Sequence, residues 1–129
     1  DDDQLRNAVG ASFERIVDLA EKMDGTRVPS KFVKAARKLG QEADRDARTL
    51  RSITPSSSVG SDAKNNAING FQKTRSLASD ASRYAKLWTA RRYSAAIKAR
   101  RRVTTKAAAA GKLIGTAIRL LNQAPPTTG

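Results

Sequence analysis

Apolar residues recur at steps of three and four along nearly the whole chain, which is the spacing of an amphipathic α-helix. Every long segment has this spacing, and the residues fall into four stripes. The stripes comprise Leu5, Val9, Phe13, Ile16, Ala20 and Met23; Phe32, Ala36, Leu39, Ala43, Ala47, Leu50 and Ile53; Ala63, Ala67, Phe71, Thr74, Ala78, Ala81, Ala85 and Trp88; and Ala96, Ala99, Val103, Ala107, Ala110, Ile114, Ala117 and Leu121. The sequence therefore predicts an all-α protein.

Turn-forming residues separate the first three stripes. Gly25 follows the first stripe, and Pro29-Ser30 opens the second. The Ser-rich segment 54–61 predicts a loop before the third stripe, with Ser61 or Asp62 as the residue that caps the next helix.

The boundary between the third and fourth stripes carries no such signal, because no Pro or Gly lies between Gly70 and Gly111. A continuous helix of about 60 residues would leave half of its apolar stripe uncovered, so we predict a tight turn at Thr89–Tyr93. With that turn, residues 1–124 form a single domain, a monomeric antiparallel up-down four-helix bundle, and residues 125–129 form a disordered tail. A dimer swapped through the continuous helix is the alternative.

The positive charge is concentrated in the C-terminal part of the chain. The formal net charge is +13, yet Asp80 is the last acidic residue and eleven Lys and Arg follow it. A one-sided field of this kind favours anionic partners. Wall polymers, anionic lipid headgroups, acidic proteins and nucleic acids all meet that description.

The chain contains no Cys and no His. Disulfides, zinc–thiolate sites, cysteine nucleophiles and histidine general bases are therefore excluded. No constellation of carboxylates, Lys or Tyr indicates catalysis, so we expect a protein that is not an enzyme and has neither a cofactor nor a metal site. The longest apolar stretch, Ala107 to Leu121, is interrupted by Lys112 and Arg119, which argues against a transmembrane segment.

Six cations of the fourth helix are candidate anion-binding residues: Lys98, Arg101, Arg102, Lys106, Lys112 and Arg119. Four of them project opposite the core stripe, and Arg102 and Lys106 flank that line. Arg100 falls nearer the core and is expected to extend its charged end to the edge. The alternative interpretation is an ordinary solvated face, but an ordinary surface mixes both signs of charge.

Tyr84, Trp88 and Tyr93 lie among cations near the predicted turn. Aromatic rings between cations can stack the bases of single-stranded nucleic acid or cap a ligand pocket. Because Trp88 is in register with the core stripe, packing at the end of the bundle is the favoured interpretation.

Two groups of acids resemble neither a catalytic pair nor a calcium loop. They are Glu14, Asp18 and Glu21 on the first helix, and Glu42, Asp44 and Asp46 on the second. Basic residues nearby predict ion pairs within each helix. Gly111 and Gly115 have the GxxxG spacing, which predicts a close approach of two helices.

The stretch Leu50-Arg-Ser-Ile-Thr-Pro55 is followed by an Ala-rich helix, a charged turn and a helix that contains Ala107–Ala110 and Gly115. This pattern, over roughly residues 47–121, resembles small secreted helical proteins and lipoproteins of high-GC Gram-positive bacteria. The resemblance implies an all-helical bundle outside the cytoplasm and assigns no functional residue. Such proteins often have a Cys near the end of the last helix, where this chain has Leu120 and Leu121.

Together these features predict a secreted or envelope-associated protein that binds an anionic partner through its last helix and catalyses no reaction. A nucleic-acid-binding module, which would be cytoplasmic, is the first alternative because the chain is strongly basic. A carrier that holds an apolar ligand between its helices is the second, because many small Ala side chains could leave room for one.

Overall fold

The computed structural model describes residues 1–123, so the predicted tail 125–129 lies outside the described residues. Five helical segments occupy the described part: α1 (Asp2–Asp24), α2 (Pro29–Arg51), α3 (Ser58–Arg75), α4 (Leu77–Thr89) and α5 (Tyr93–Gln123). No strand occurs within residues 1–123, which confirms the all-α prediction. No helix in the same range combines the length and the hydropathy needed to cross a membrane.

The third predicted helix consists of two segments, α3 and α4, with only Ser76 between them. The Thr74 hydroxyl donates to the Gly70 carbonyl at 2.9 Å, and the Ser76 hydroxyl donates to the Lys73 carbonyl at 2.7 Å. Hydroxyl groups that bind carbonyls of the preceding turn bend helices. The protein therefore has four helical arms, and the third arm is interrupted at Ser76.

The four arms pack around one core. Both α3 and α4 contact α2 and α5, and α1 contacts α2 and α5. At one end, Arg6 Nη2 donates to the Leu121 carbonyl at 2.6 Å. At the other end, Arg100 Nη2 donates to the Thr26 carbonyl at 2.9 Å. The start of α1 thus lies against the end of α5, an arrangement that is consistent with the predicted bundle.

The core is built mainly from the predicted apolar stripes. On α4 the stripe is partly wrong, because Leu77 and Tyr84 are buried and the predicted Ala78 and Ala85 are only partly buried. Phe32, Phe71, Ile114 and Leu121 are completely buried. Phe13 is only partly buried and packs at the edge of the core. The alanines that suggested room for an apolar ligand include seven that are themselves completely buried: Ala36, Ala43, Ala63, Ala67, Ala81, Ala96 and Ala117.

The closest approach of α3 to α5 is at Gly70. A Cβ added at Gly70 would lie 2.7 Å from Ile114 Cγ1 and 2.9 Å from the Ala110 carbonyl oxygen, so only glycine fits without a shift. The GxxxG prediction is wrong, because a Cβ at Gly111 or Gly115 would meet nothing within 4 Å. The close contact between the two helices is made at Gly70 of α3, and not at the glycines of α5.

The start of α1 is fastened to the loop between α2 and α3 through the buried side chain of Asp2. Its Oδ1 accepts a hydrogen bond from the Ser56 backbone N–H at 2.8 Å, and its Oδ2 accepts one from the Ser57 hydroxyl. Gly60 leaves room for this carboxylate, because an added Cβ would collide with it. The sequence pattern gave no sign of this long-range contact.

The same loop supplies the cap of α3. The Ser57 side chain accepts a hydrogen bond from the Gly60 N–H at 2.9 Å, and α3 begins at Ser58. The predicted caps Ser61 and Asp62 are therefore wrong. Ser57 is the residue that can satisfy the free helical N–H and at the same time donate to Asp2.

Replacement of Gly70 by Ala is expected to lower the free energy of unfolding by about 1–3 kcal/mol, because the new methyl group overpacks the α3–α5 contact. The matched control is Gly111→Ala, which meets open space and should raise the free energy of unfolding by about 0.5–1 kcal/mol. Urea unfolding of both variants measures the difference. An equal gain in both would contradict the close approach at Gly70.

The hydrogen bonds to Asp2 make its contribution to stability dependent on pH. Burial alone would raise the pKa of Asp2, but the bonds from the Ser57 hydroxyl and the Ser56 backbone together lower this pKa below the ordinary value. The unfolded chain therefore binds the proton more readily than the folded protein does. The stabilisation is fully present above the unfolded-state pKa and is lost as the pH falls through the lower folded-state pKa.

We expect Asp2→Asn to lower the free energy of unfolding at pH 7 by about 1–3 kcal/mol, since the amide nitrogen cannot accept the second hydrogen bond. The deficit relative to the parent should shrink when the pH falls below 3.8, the ordinary value for this carboxyl. Asp3→Asn, which removes a surface pair with Arg6, should change stability by less than about 1 kcal/mol. A deficit for Asp2→Asn that stays constant down to acidic pH would count against this assignment.

Candidate anion-binding surface

The outer side of α5 presents a row of exposed cations. Because Val103, Ile114 and Leu121 point into the core, the residues half a turn away point to solvent. We call the exposed set the basic face; it consists of Lys98, Arg101, Arg102, Lys112 and Arg119. Five of the six candidate anion-binding residues thus lie on the surface of a single helix.

Lys106, the sixth candidate, is partly exposed and forms an ion pair with another residue of the chain. Its Nζ lies 2.6 Å from Oδ2 of Asp80, whose side chain is only 15% exposed. This pair joins α5 to α4, so Lys106 neutralises the last acidic residue of the chain. We therefore leave it out of the basic face.

Arg100 has a structural role. The sequence predicted its position at the edge of the core but not its binding partners. Its guanidinium group lies 4.3 Å from the centre of the Phe32 ring and 5.5 Å from that of Tyr84. It donates to the carbonyls of Asp24 and Thr26 at 3.2 and 2.9 Å. Arg100 therefore holds the end of α1 and covers two core aromatic rings, a geometry that suits the planar guanidinium.

The acidic residues of α1 and α2 are largely used in ion pairs, as predicted, but several pairs join different helices. Arg15 binds Glu42 at 2.6 Å and Asp46 at 3.1 Å, and Arg75 binds Asp44 at 3.4 Å. Pairs within one helix join Lys22 to Asp18, Arg45 to Glu42 and Arg48 to Asp44. Glu14 and Glu21 form no salt bridge with the described residues.

The ion pair between Arg15 and Asp46 contributes to the packing of α1 against α2. Asp46 is buried between α1 and α2, and its Oδ2 has no hydrogen-bond partner within residues 1–123. Burial raises the pKa of Asp46, and the bond from Arg15 opposes that shift. Removal of Arg15 would leave a buried, unpaired charge, so the pair holds α1 to α2.

The cations that follow Asp80 are in a different situation. No salt bridge within residues 1–123 involves the five residues of the basic face, or the four cations around the α4–α5 turn: Arg83, Lys86, Arg91 and Arg92. All nine are exposed. The structure therefore shows that, within residues 1–123, acids of the other helices form no ion pairs with these nine cations.

The predicted turn at Thr89–Tyr93 is present, and the alternative of a continuous helix is wrong. The Arg91 N–H donates to the Trp88 carbonyl at 3.0 Å, and the Arg92 N–H donates to the Leu87 carbonyl at 2.9 Å. These two bonds define a Schellman motif, which ends a helix with one residue in the left-handed region. That residue is Arg91, with φ of 60°, where glycine is usual.

The three candidate aromatic residues have different environments. Tyr84 is buried and packs edge-on against Phe32, with the ring centres 5.2 Å apart. Trp88 is 41% exposed, although its register predicts the core, and Tyr93 is 48% exposed. Their rings meet edge to face at 4.8 Å. Tyr84 is the last buried residue of α4, and Trp88 lies in the last turn of that helix, next to the chain reversal.

A shallow depression open to solvent lies on α4 beside the turn. Its lining includes Ser82, Arg83, Lys86, Leu87 and Arg92. None of the three candidate aromatic residues lines it. It adds hydroxyl and cationic donors to the same end of the protein, which are groups suited to phosphate or sulfate oxygens.

Comparison with known proteins finds no matching family model, no similar curated protein and no similar solved structure. No cluster of three or more acidic metal-ligating side chains occurs within residues 1–123.

The strain at Arg91 is open to a direct test. Arg91→Gly is expected to raise the free energy of unfolding by about 0.5–1 kcal/mol, because glycine adopts the left-handed region without a steric penalty. Arg92→Gly removes the same charge at a residue that does not have a positive φ, and it should not raise stability. Thermal or urea unfolding of both variants at the same salt concentration separates backbone strain from charge repulsion. A similar gain in both would point to charge repulsion.

Proposed function

We propose that this protein is a non-enzymatic binding protein, located outside the cytoplasm, that attaches to an anionic surface or partner through the basic face of α5. The helices in this proposal form an up-down antiparallel four-helix bundle, with α3 and α4 as its third arm. The observation that carries the proposal is the segregation of paired and unpaired charge. Seven of the eight ion pairs within residues 1–123 lie among residues 1–75, whereas nine exposed cations after Asp80 have no acidic partner.

Unpaired cations along one helix have a physical consequence. Their fields add in front of the surface and are screened only over about 8–10 Å at physiological salt. A surface that served only for solubility would intersperse both signs. A polyanion that meets the basic face therefore gains contact with several cations, and each contact releases condensed counterions.

Single-stranded nucleic acid is a second candidate partner. It is favoured by the exposure of Trp88 and Tyr93 beside Arg91 and Arg92, since exposed rings among cations can stack bases. A cytoplasmic location would accompany this alternative. It differs from the main proposal in requiring the aromatic rings, whereas attachment through the basic face requires only its charges.

The main proposal is tested by neutralising part of the basic face in a triple variant, Lys98→Gln with Arg101→Gln and Arg102→Gln. The affinity for a short duplex DNA, used as a generic polyanion, should fall, and the slope of log affinity against log salt should decrease by about 2–3. The matched control removes three exposed cations of α2 in the variant Lys31→Gln with Lys34→Gln and Lys38→Gln.

The control variant should change the slope much less, because its cations lie on another helix. Far-ultraviolet circular dichroism checks that both variants stay folded. If both variants lose the same affinity, net charge and not the basic face accounts for binding. If the parent protein binds neither duplex DNA nor heparin at about 50 mM salt, where such contacts are strong, the proposed function is wrong.

A further inference from the structure

Large exposed hydrophobic side chains are concentrated at one end of the protein. Five are exposed within residues 1–123: Val17, Val28, Trp88, Tyr93 and Ile97. All but Val17 belong to the end of the protein that carries the α1–α2 loop and the α4–α5 turn, because Arg100 of α5 binds the carbonyls of Asp24 and Thr26. We call Val28, Trp88, Tyr93 and Ile97 the apolar tip; their exposed fractions range from 41% to 51%.

Core contacts explain why these four residues lie at the same end of the protein. Phe32 and Tyr84 pack against each other at 5.2 Å beneath the tip. Val28, the residue before α2, precedes Phe32 by four residues, and Trp88 follows Tyr84 by four residues on α4. Both therefore lie toward the same end of the protein. Trp88 contacts Tyr93 at 4.8 Å across the turn. Ile97 follows Tyr93 by four residues, so the two share one face of α5.

Exposed arginines adjoin the apolar tip along the chain. Arg27 precedes Val28, Arg91 and Arg92 form the turn, and Arg101 follows Ile97 by one helical turn; all four are exposed. None of them forms a salt bridge within residues 1–123. Asp24 is also exposed at this end, at the close of α1, and is outnumbered by the arginines. Four apolar side chains at this end of the protein therefore have exposed, unpaired cations as their neighbours in the chain.

We propose that the apolar tip inserts into the interface of an anionic lipid bilayer, which identifies the anionic surface on which the proposed function rests. Trp and Tyr favour the headgroup level of a membrane, because their rings are apolar with one polar atom. Ile97 and Val28 are aliphatic and gain by leaving water for the acyl region. The adjoining arginines would face lipid phosphates, which attract basic residues near the membrane surface.

The shape of the tip favours a bilayer over single-stranded nucleic acid. Base stacking needs open ring faces, but Trp88 and Tyr93 meet edge to face with their planes at 64°. Two of the four tip residues are aliphatic and offer no stacking face. A helix end in which the left-handed residue is an arginine also fits this use, since strained backbone residues persist where their side chains serve a function.

Trp88 is the single Trp of the chain, so its fluorescence reports on the tip alone. The protein is titrated with vesicles of neutral phosphatidylcholine and with vesicles that also contain phosphatidylglycerol. With the anionic vesicles we expect a blue shift of the emission and quenching by lipids brominated on the acyl chains. Binding without a blue shift or quenching would overturn insertion of the tip.

The critical variant is Tyr93→Ser with Ile97→Ser, which keeps Trp88 and every charge. Loss of these two side chains should weaken partitioning into anionic vesicles by about tenfold or more, since burial of one large apolar side chain corresponds to at least a factor of ten. Its affinity for heparin should not change. The matched control is Val17→Ser, which removes an exposed apolar side chain from α1, away from the tip, and should leave vesicle binding unchanged.

The outcomes separate this inference from the proposed function. Heparin binding with no loss of vesicle affinity in the double variant would overturn the tip inference and leave the basic face in place. Equal losses in the double variant and in Val17→Ser would also overturn it. If a short single-stranded oligothymidine quenches Trp88 while anionic vesicles do not, the tip binds nucleic acid and the bilayer is wrong. Failure to bind heparin, duplex DNA and vesicles alike would remove both proposals.

Discussion

A helix of 31 residues with an apolar stripe along its length needs a partner surface, and the turn at Ala90–Arg92 provides one by folding α5 back along α4 and α3. The contacts follow in order: Arg100 reaches Tyr84, Lys106 reaches Asp80, and α5 passes closest to α3 at Gly70. Without the turn, none of these contacts could form within one chain. The turn also marks an exposed end of the protein, because Trp88 and Thr89 of α4 and the turn residues Ala90–Arg92 are all exposed.

The parts of the fold that depend on periodic burial could be predicted from the sequence. The four stripes supply the core, and Gly25 and Pro29 mark the boundaries of α1 and α2 correctly. The turn near Thr89 was predicted from the length of uncovered stripe, since Arg91 at the left-handed position gives no local signal of a helix end. A glycine there would have shown the boundary directly.

Features that depend on three-dimensional neighbours could not be predicted. Whether a glycine admits a close contact depends on what faces it, so Gly70 and Gly111 cannot be distinguished by spacing. Likewise, Ser57 is selected as the cap of α3 by Asp2, a residue far away in the sequence. Trp88 has the spacing of a core residue, but spacing alone cannot show that the last turn of α4 is exposed.

The candidate surface was predicted in outline, because a chain without acids after Asp80 must present cations on its last helix. The sequence could not show which of these cations bind other groups of the protein. Lys106 is paired with Asp80, and Arg100 is bound to carbonyls at the end of α1. The interruption of the third arm at Ser76 has a separate effect on how the protein opens. Because α4 is a separate helix of 13 residues, this helix and the adjoining turn can unfold locally while α3 keeps its own backbone hydrogen bonds. The amide protons of α4 can then exchange with solvent without unfolding of α3.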